Sequence, residues 1–161
     1  MSVYTKCGDC GKSSVINDND IPKYDIIFDV LGTADELGAF LGLARSEQTE
    51  QSEMLECIQT ELVYASACLA GGNAFDWVAH TKNFEEFIDV LDAPGVCPTT
   101  IIISGKSRYG ALLDVCRTVC RRLERCVVRA AEQNKCPAET VAYYNRLSDL
   151  LFIMARRYEA D

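Results

Sequence analysis

The chain has 161 residues, 48% of them hydrophobic, which suits one compact domain spanning residues 1–161 with a substantial core. Its 24 acidic against 16 basic residues give a formal net charge of -8, which repels a polyphosphate backbone at long range and makes nucleic acid a poor partner. No apolar run approaches the ~18 residues of a membrane span, and the polar opening "MSVYTKCGDCGK" lacks the apolar stretch of a signal peptide, so a cytoplasmic protein is expected. Nine cysteines, odd in number and scattered, then read as thiols that mostly pack as small apolar residues.

Residues 1–24 are rich in Gly, Asp, Asn, Ser and Lys without a sustained apolar period, and read as a loop-like arm. Within it, "TKCGDCGKSS" combines the unobstructed backbone of Gly8 and Gly11 with the hydroxyls of Thr5, Ser13 and Ser14 and the ammonium of Lys12, which is half of a phosphate site. The spacing is not that of a P-loop. "CGDC" at 7–10 has the spacing of half a zinc ribbon, but no second Cys-x-x-Cys follows it.

Ile27, Val30, Leu31, Ala34, Leu37, Leu41 and Ala44 recur at steps of three and four and predict a first amphipathic helix. "GTADEL", with Thr33, Asp35 and Glu36, reads either as a capping box or as an interior polar patch whose Asp35 pairs with an arginine. A second helix over about 48–70 carries Met54, Ile58, Leu62, Ala65 and Leu69 on its apolar stripe and ends at "AGG". Phe75 and Trp77 read as a loop anchor, and His80, the one histidine, is too isolated for a catalytic dyad. A short helix from Lys82 to Leu91 stops at Pro94 and Gly95, and "TTIIIS" is extended but lacks a partner strand. Two strong helices follow, over about 108–133 and 138–158. The expected fold is all-α, a five-helix up-and-down bundle with four long helices and one short.

On the fourth helix Leu112, Cys116, Val119, Leu123, Cys126 and Ala130 form a core stripe, and Arg117, Arg121, Glu124 and Arg125 form a second stripe beside it. The fifth helix repeats the construction, with Tyr144, Leu147, Leu151 and Met154 on one face and Asn145, Asp149 and Arg156 on another. Solvated faces with weak surface ion pairs are the plain interpretation. The four arginines of the stretch, Arg117, Arg121, Arg122 and Arg125, with a single Glu favour an anionic ligand instead, because the guanidinium fork binds phosphate or carboxylate bidentately.

The motifs "YTKCGDCGKSS", "PK" at 22–23, "GTADELGAFLGLA", "CRTVCRRLERCVV" and "YYNRLSDLLFIMAR" together resemble the PduO-type ATP:cob(I)alamin adenosyltransferases from Tyr4 to Arg156. The resemblance implies a homotrimer with sites between neighbouring subunits, and transfer of the 5′-deoxyadenosyl group of ATP to Co(I) of cobalamin with release of triphosphate. It places Thr5, Lys6, Cys7, Gly8, Ser13, Ser14 and Lys23 on the triphosphate, with Arg121, Arg122, Glu124, Arg125 and Asn145 as further nucleotide contacts. Asp35 and Arg117 match an intersubunit pair beside the corrinoid, Asp149 matches an orienting carboxylate, and Mg²⁺ would arrive with ATP. Where that family commonly has an aromatic residue before a Pro-Gly-Gly turn, this chain reads "IIISGKS", which puts Ile101, Ser104 and Lys106 there; Cys7 stands where a Thr is common. The missing aromatic leaves open a non-catalytic carrier or sensor of ATP or adenosylcobalamin with the same fold.

Overall fold

The computed structural model describes residues 4, 6–93 and 95–160. Two short antiparallel strands, β1 (Lys12–Val15) and β2 (Asp18–Pro22), precede five helices: α1 (Ile26–Arg45), α2 (Ser52–Leu69), α3 (Trp77–Asp92), α4 (Arg108–Glu132) and α5 (Glu139–Ala160). The helices alternate in direction. Asp25 at the start of α1 meets Lys135 just after α4, while Glu47 after α1 meets Arg108 at the start of α4, so these two run antiparallel. Trp77 at the start of α3 packs on Tyr143 and Tyr144 near the start of α5, so that pair runs parallel. The result is an up-and-down bundle in which α4 lies between α1 and α5, flanked outside by α2 and α3.

The core follows from the three-and-four spacing. Val30, Leu37 and Leu41 of α1, Leu113, Cys116 and Leu123 of α4, and Leu147, Leu151 and Met154 of α5 are fully buried. Four local expectations are corrected. The arm is not a loop: β1 and β2 pair as a hairpin, whose Ile16 N–H donates to Ala70 O at 2.8 Å and whose Asn17 amide donates to Gly71 O at 2.6 Å. Exposed polar strands carry no apolar alternation, so periodicity could not reveal them. The third helix begins at Trp77 rather than Lys82, because Asp76 caps it by accepting from Ala79 N–H at 3.0 Å. On α2 the expected Ile58, Leu62, Ala65 and Leu69 are buried, but Leu55, three residues before Ile58, heads the stripe in place of Met54. "GTADEL" lies in the middle of α1 and caps nothing: Thr33 donates to Asp29 O at 2.6 Å. Pro94, expected to stop α3, lies outside the described residues.

Phe75 and Trp77 do act as an anchor, stacked edge-on against buried Tyr143 at 5.5 and 5.3 Å between ring centroids. His80 stacks on Phe75 and faces Glu61, 3.0 Å away, a carboxyl that burial pushes above its ordinary range despite the opposing pull of His80.

Asp25 joins the hairpin to the bundle. Its carboxylate accepts from Ile27 N–H at 3.1 Å as the cap of α1 and pairs with Lys135. Those bonds, the Lys135 bond foremost, hold its pKa below the usual carboxylate value. A depressed carboxyl pKa adds stability above the unfolded-state value and loses it as pH falls through the folded-state value. Asp25→Ala is therefore expected to lower stability at pH 7 by about 1 kcal/mol, with the difference shrinking as denaturation is repeated toward pH 3.

Candidate functional site

The site starts from a seam on α4. Leu113, Cys116, Cys120, Leu123 and Val127 are buried at spacings of three and four against α1 and α5, which turns Arg117, Arg121, Arg122 and Arg125 off that seam. Burial pushes the Cys116 thiol up to about 12 and holds the Cys120 thiol well above its ordinary value, so these are inert packing groups.

Arg121 sits at the α4–α5 junction, its Nη1 3.5 Å from Ser148 Oγ and 3.9 Å from Glu124 Oε2. Ser148 in turn donates to the backbone O of Asn145 at 2.8 Å, so Arg121 and Glu124 lie beside the turn of α5 that carries Asn145. Arg125 donates to Arg121 O at 2.9 Å, and Arg122 pairs with Glu36 of α1. The side chains of Arg121 and Arg122 are each 47% exposed, against 18% for Glu124. Their partners occupy few of the five N–H donors each guanidinium carries, which leaves a row of forks facing outward.

Arg117 has a different setting. Its Nε bonds Asp114 Oδ1 at 3.1 Å and its guanidinium lies 6.0 Å from the Phe152 ring centre. Asp114 is a buried hub: its other oxygen accepts from buried Arg156 at 2.8 Å, and Arg156 also meets Glu159 at 3.2 Å. Burial pushes the Asp114 pKa up, but bonds from Ser104, Arg117 and Arg156 outweigh it and hold the carboxyl below its ordinary range. Through Ser104 and the bond from Lys106 to Glu159 O, the hub also fixes the segment after Ile101. Sequence reading missed this hub; an Asp among apolar residues on a core stripe was the available signal.

The hairpin supplies the second half. Cys7, Gly8, Lys12, Ser13, Ser14 and Asp20 line a cavity of about 330 Å³. A Cβ at Gly8 would stand 2.9 Å from Lys23 Nζ, so glycine lets the ammonium reach the backbone, and Gly11 adopts φ 78°. Lys6 lies 5.8 Å over the Tyr4 ring. Thr5 lies outside the described residues.

The two halves do not meet within the chain. The hairpin is anchored at the end of the bundle where α4 finishes, whereas Arg121 lies about 17 Å back along α4 from Glu132 at 1.5 Å per residue. Asp35 is exposed and lines a shallow pocket with Gly38, Gln59 and Ser66, away from Arg117, whose partner here is Asp114. Ile101 is 96% exposed. Asp149 bonds Arg146 at 2.7 Å on the wall of a cavity of about 600 Å³ between α3 and α5, beside Phe152 and Asp92; apart from Asp149, that cavity was not foreseen.

Residues 3–158 match the cobalamin adenosyltransferase family, and the chain belongs to it. The human corrinoid adenosyltransferase MMAB is 34% identical over 96% of this chain and 67% of its own length. A corrinoid adenosyltransferase of Citrobacter freundii is 34% identical over 96% of this chain and 93% of its own. A phenylalanine-to-histidine variant of the PduO-type ATP:corrinoid adenosyltransferase of Lactobacillus reuteri, solved with cobalamin and ATP, superimposes with a TM-score of 0.89 at 29% identity, covering 99% of this chain and 91% of that one.

Removing the hub's carboxylate leaves a buried guanidinium without its partner. Asp114→Ala is expected to destabilise the chain by about 3–5 kcal/mol in chemical denaturation, whereas Asp35→Ala, at an exposed position, should change stability by under about 0.5 kcal/mol.

Proposed function

We propose that this protein is a transferase that moves the 5′-deoxyadenosyl group of ATP to Co(I) of a corrinoid, working as a homotrimer with each site between two subunits. The observation that carries the reading is the pair of separated half-sites. One end of the chain presents glycine backbone, hydroxyls and lysine, which suit a phosphate; the middle of α4 presents outward guanidinium forks. A second copy can bring the forks of one subunit to the hairpin of another. The family match and the cobalamin and ATP in the solved relative support the substrates.

In the reaction, Co(I) attacks the 5′ carbon of ATP, the cobalt–carbon bond forms as the carbon–oxygen bond breaks, and triphosphate leaves. Lys6, Cys7, Gly8, Ser13, Ser14 and Lys23, together with Thr5, hold the triphosphate on the hairpin side. From the neighbour, Arg121, Arg122 and Arg125 neutralise the charge that grows on the leaving group, while Glu124 and Asn145 orient the arginines and the nucleoside. These donors are cationic or neutral and complement anionic oxygens. Mg²⁺ would be carried on the ATP phosphates, where it would add to charge neutralisation.

Asp35 and Arg117 would face each other across the interface beside the corrinoid, with Arg117 positioned by Asp114 and Asp149 orienting the α5 side. Ile101 and Ile103, 96% and 89% exposed, are apolar groups available to cover the corrinoid's lower face and exclude an axial ligand. We place the protein in the cytoplasm, where thiols such as buried Cys116 and Cys120 stay reduced.

The second reading, a carrier that binds both ligands without turnover, is favoured by one observation: the exposed residue at 101 is the smaller Ile rather than an aromatic. Anaerobic incubation with ATP and chemically reduced cobalamin separates the two. The enzyme reading predicts the absorbance of adenosylcobalamin; tight binding without that absorbance would establish the carrier. For the enzyme, Arg121→Ala is expected to lower turnover by about 10²–10³-fold while the oligomer's mass in light scattering stays unchanged.

A further inference from the structure

Beside Cys7, which lines the hairpin cavity, the hairpin carries a second thiol, Cys10, that the proposed phosphate contacts do not use. Cys7 and Cys10 are both exposed. Two overlapping turns fold the chain between them, Asp9 N–H donating to Lys6 O and Gly11 N–H donating to Gly8 O, each at 3.3 Å. The Cys10 thiol donates to Cys7 O at 3.6 Å, so its sulfur already lies against the Cys7 backbone. Cys7 and Cys10 each stand inside one of these turns, and a disulfide between them needs Cα atoms roughly 4.4–6.8 Å apart. The other exposed thiols among the described residues stand apart from the hairpin, Cys57 on α2 and Cys97 after α3.

We propose that Cys7 and Cys10 are a redox modification site, at which a low-molecular-weight disulfide such as oxidised glutathione links the two sulfurs and closes the hairpin cavity to ATP. The thiolate of one cysteine attacks the oxidant's S–S bond and forms a mixed disulfide, releasing one glutathione thiol. The second cysteine displaces the other glutathione, so the Cys7–Cys10 bond forms, the pair loses two protons and two electrons, and the oxidant leaves as two thiols. The consequence for ATP rests on the proposed role of the hairpin, whereas the cross-link does not.

Closure follows from where the bond would form. Cys7 and Gly8 both line the cavity, and Gly8 is the residue that lets Lys23 Nζ approach the backbone. Drawing the Cys7 sulfur onto Cys10 pulls the Gly8–Asp9 segment with it and turns backbone N–H groups from where a phosphate would sit. The device has chemical sense for this reaction: Co(I) persists only under strongly reducing conditions, the same conditions that keep the pair as thiols.

The test treats the whole chain with oxidised glutathione, blocks remaining thiols with iodoacetamide, maps the peptides by mass spectrometry and measures ATP binding by calorimetry. The expected result is a Cys7–Cys10 link and ATP affinity weakened at least tenfold, restored by dithiothreitol. Cys10→Ser is expected to bind ATP as the reduced wild type does and to be indifferent to the oxidant. Finding the two sulfurs unlinked, or capped separately by glutathione, overturns the site. A linked chain that binds ATP as tightly as the reduced one overturns the closure. A reduced chain that fails to bind ATP overturns the hairpin's ATP role, and the peptide map then still decides the cross-link.

Discussion

A guanidinium cannot be buried without a partner, and α4 must bury one apolar seam against both α1 and α5. Those two requirements set most of the molecule. Because Leu113, Cys116, Cys120, Leu123 and Val127 fill the seam, Arg121, Arg122 and Arg125 are pushed to its edges and half exposed. Arg156 alone is enclosed, and it is enclosed only where Asp114 and Glu159 meet it. The bundle therefore encloses Arg156 in its interior and leaves Arg121 and Arg122 half exposed, with terminal nitrogens held by Ser148, Glu124 and Glu36.

The hairpin obeys the complementary constraint. Its polar strands bury too little to stand alone, so it depends on bonds to Ala70 and Gly71 and on the Asp25–Lys135 pair. That fixes it at one end of the bundle, away from the arginine row of its own chain. Under the proposed function, two half-sites held apart within one subunit would be united by a second copy, and the thiol pair lies in the hairpin half of that site.

The helices were legible because burial imposes a period. Steps of three and four located α1, α4 and α5 nearly to their ends, and the unusual choice of arginine over lysine marked the outward row. The hairpin was not, since β1 and β2 are polar and are fixed by distant carbonyls just after α2 that no local pattern encodes. The start of α3 was hidden because Trp77 and Phe75 serve an aromatic cluster with Tyr143, which interrupts the stripe that would have announced a helix. Asp114 was passed over for a related reason: its value lies in Arg156, far along the sequence but adjacent in space. The residues of the half-sites could be named one by one from their chemistry and motifs, but that they sit at different heights of the bundle became visible only in three dimensions.

The central claim is that the hairpin of one subunit and the α4 row of another form one site. Subunit mixing tests it most directly: a Lys23→Ala chain and an Arg121→Ala chain, each inactive alone, are unfolded together, refolded and assayed anaerobically for adenosylcobalamin. Recovered activity in mixed oligomers, from interfaces that unite an intact hairpin with an intact row, is the predicted result. Mixed oligomers verified by native mass spectrometry that remain as inactive as their parents would contradict it.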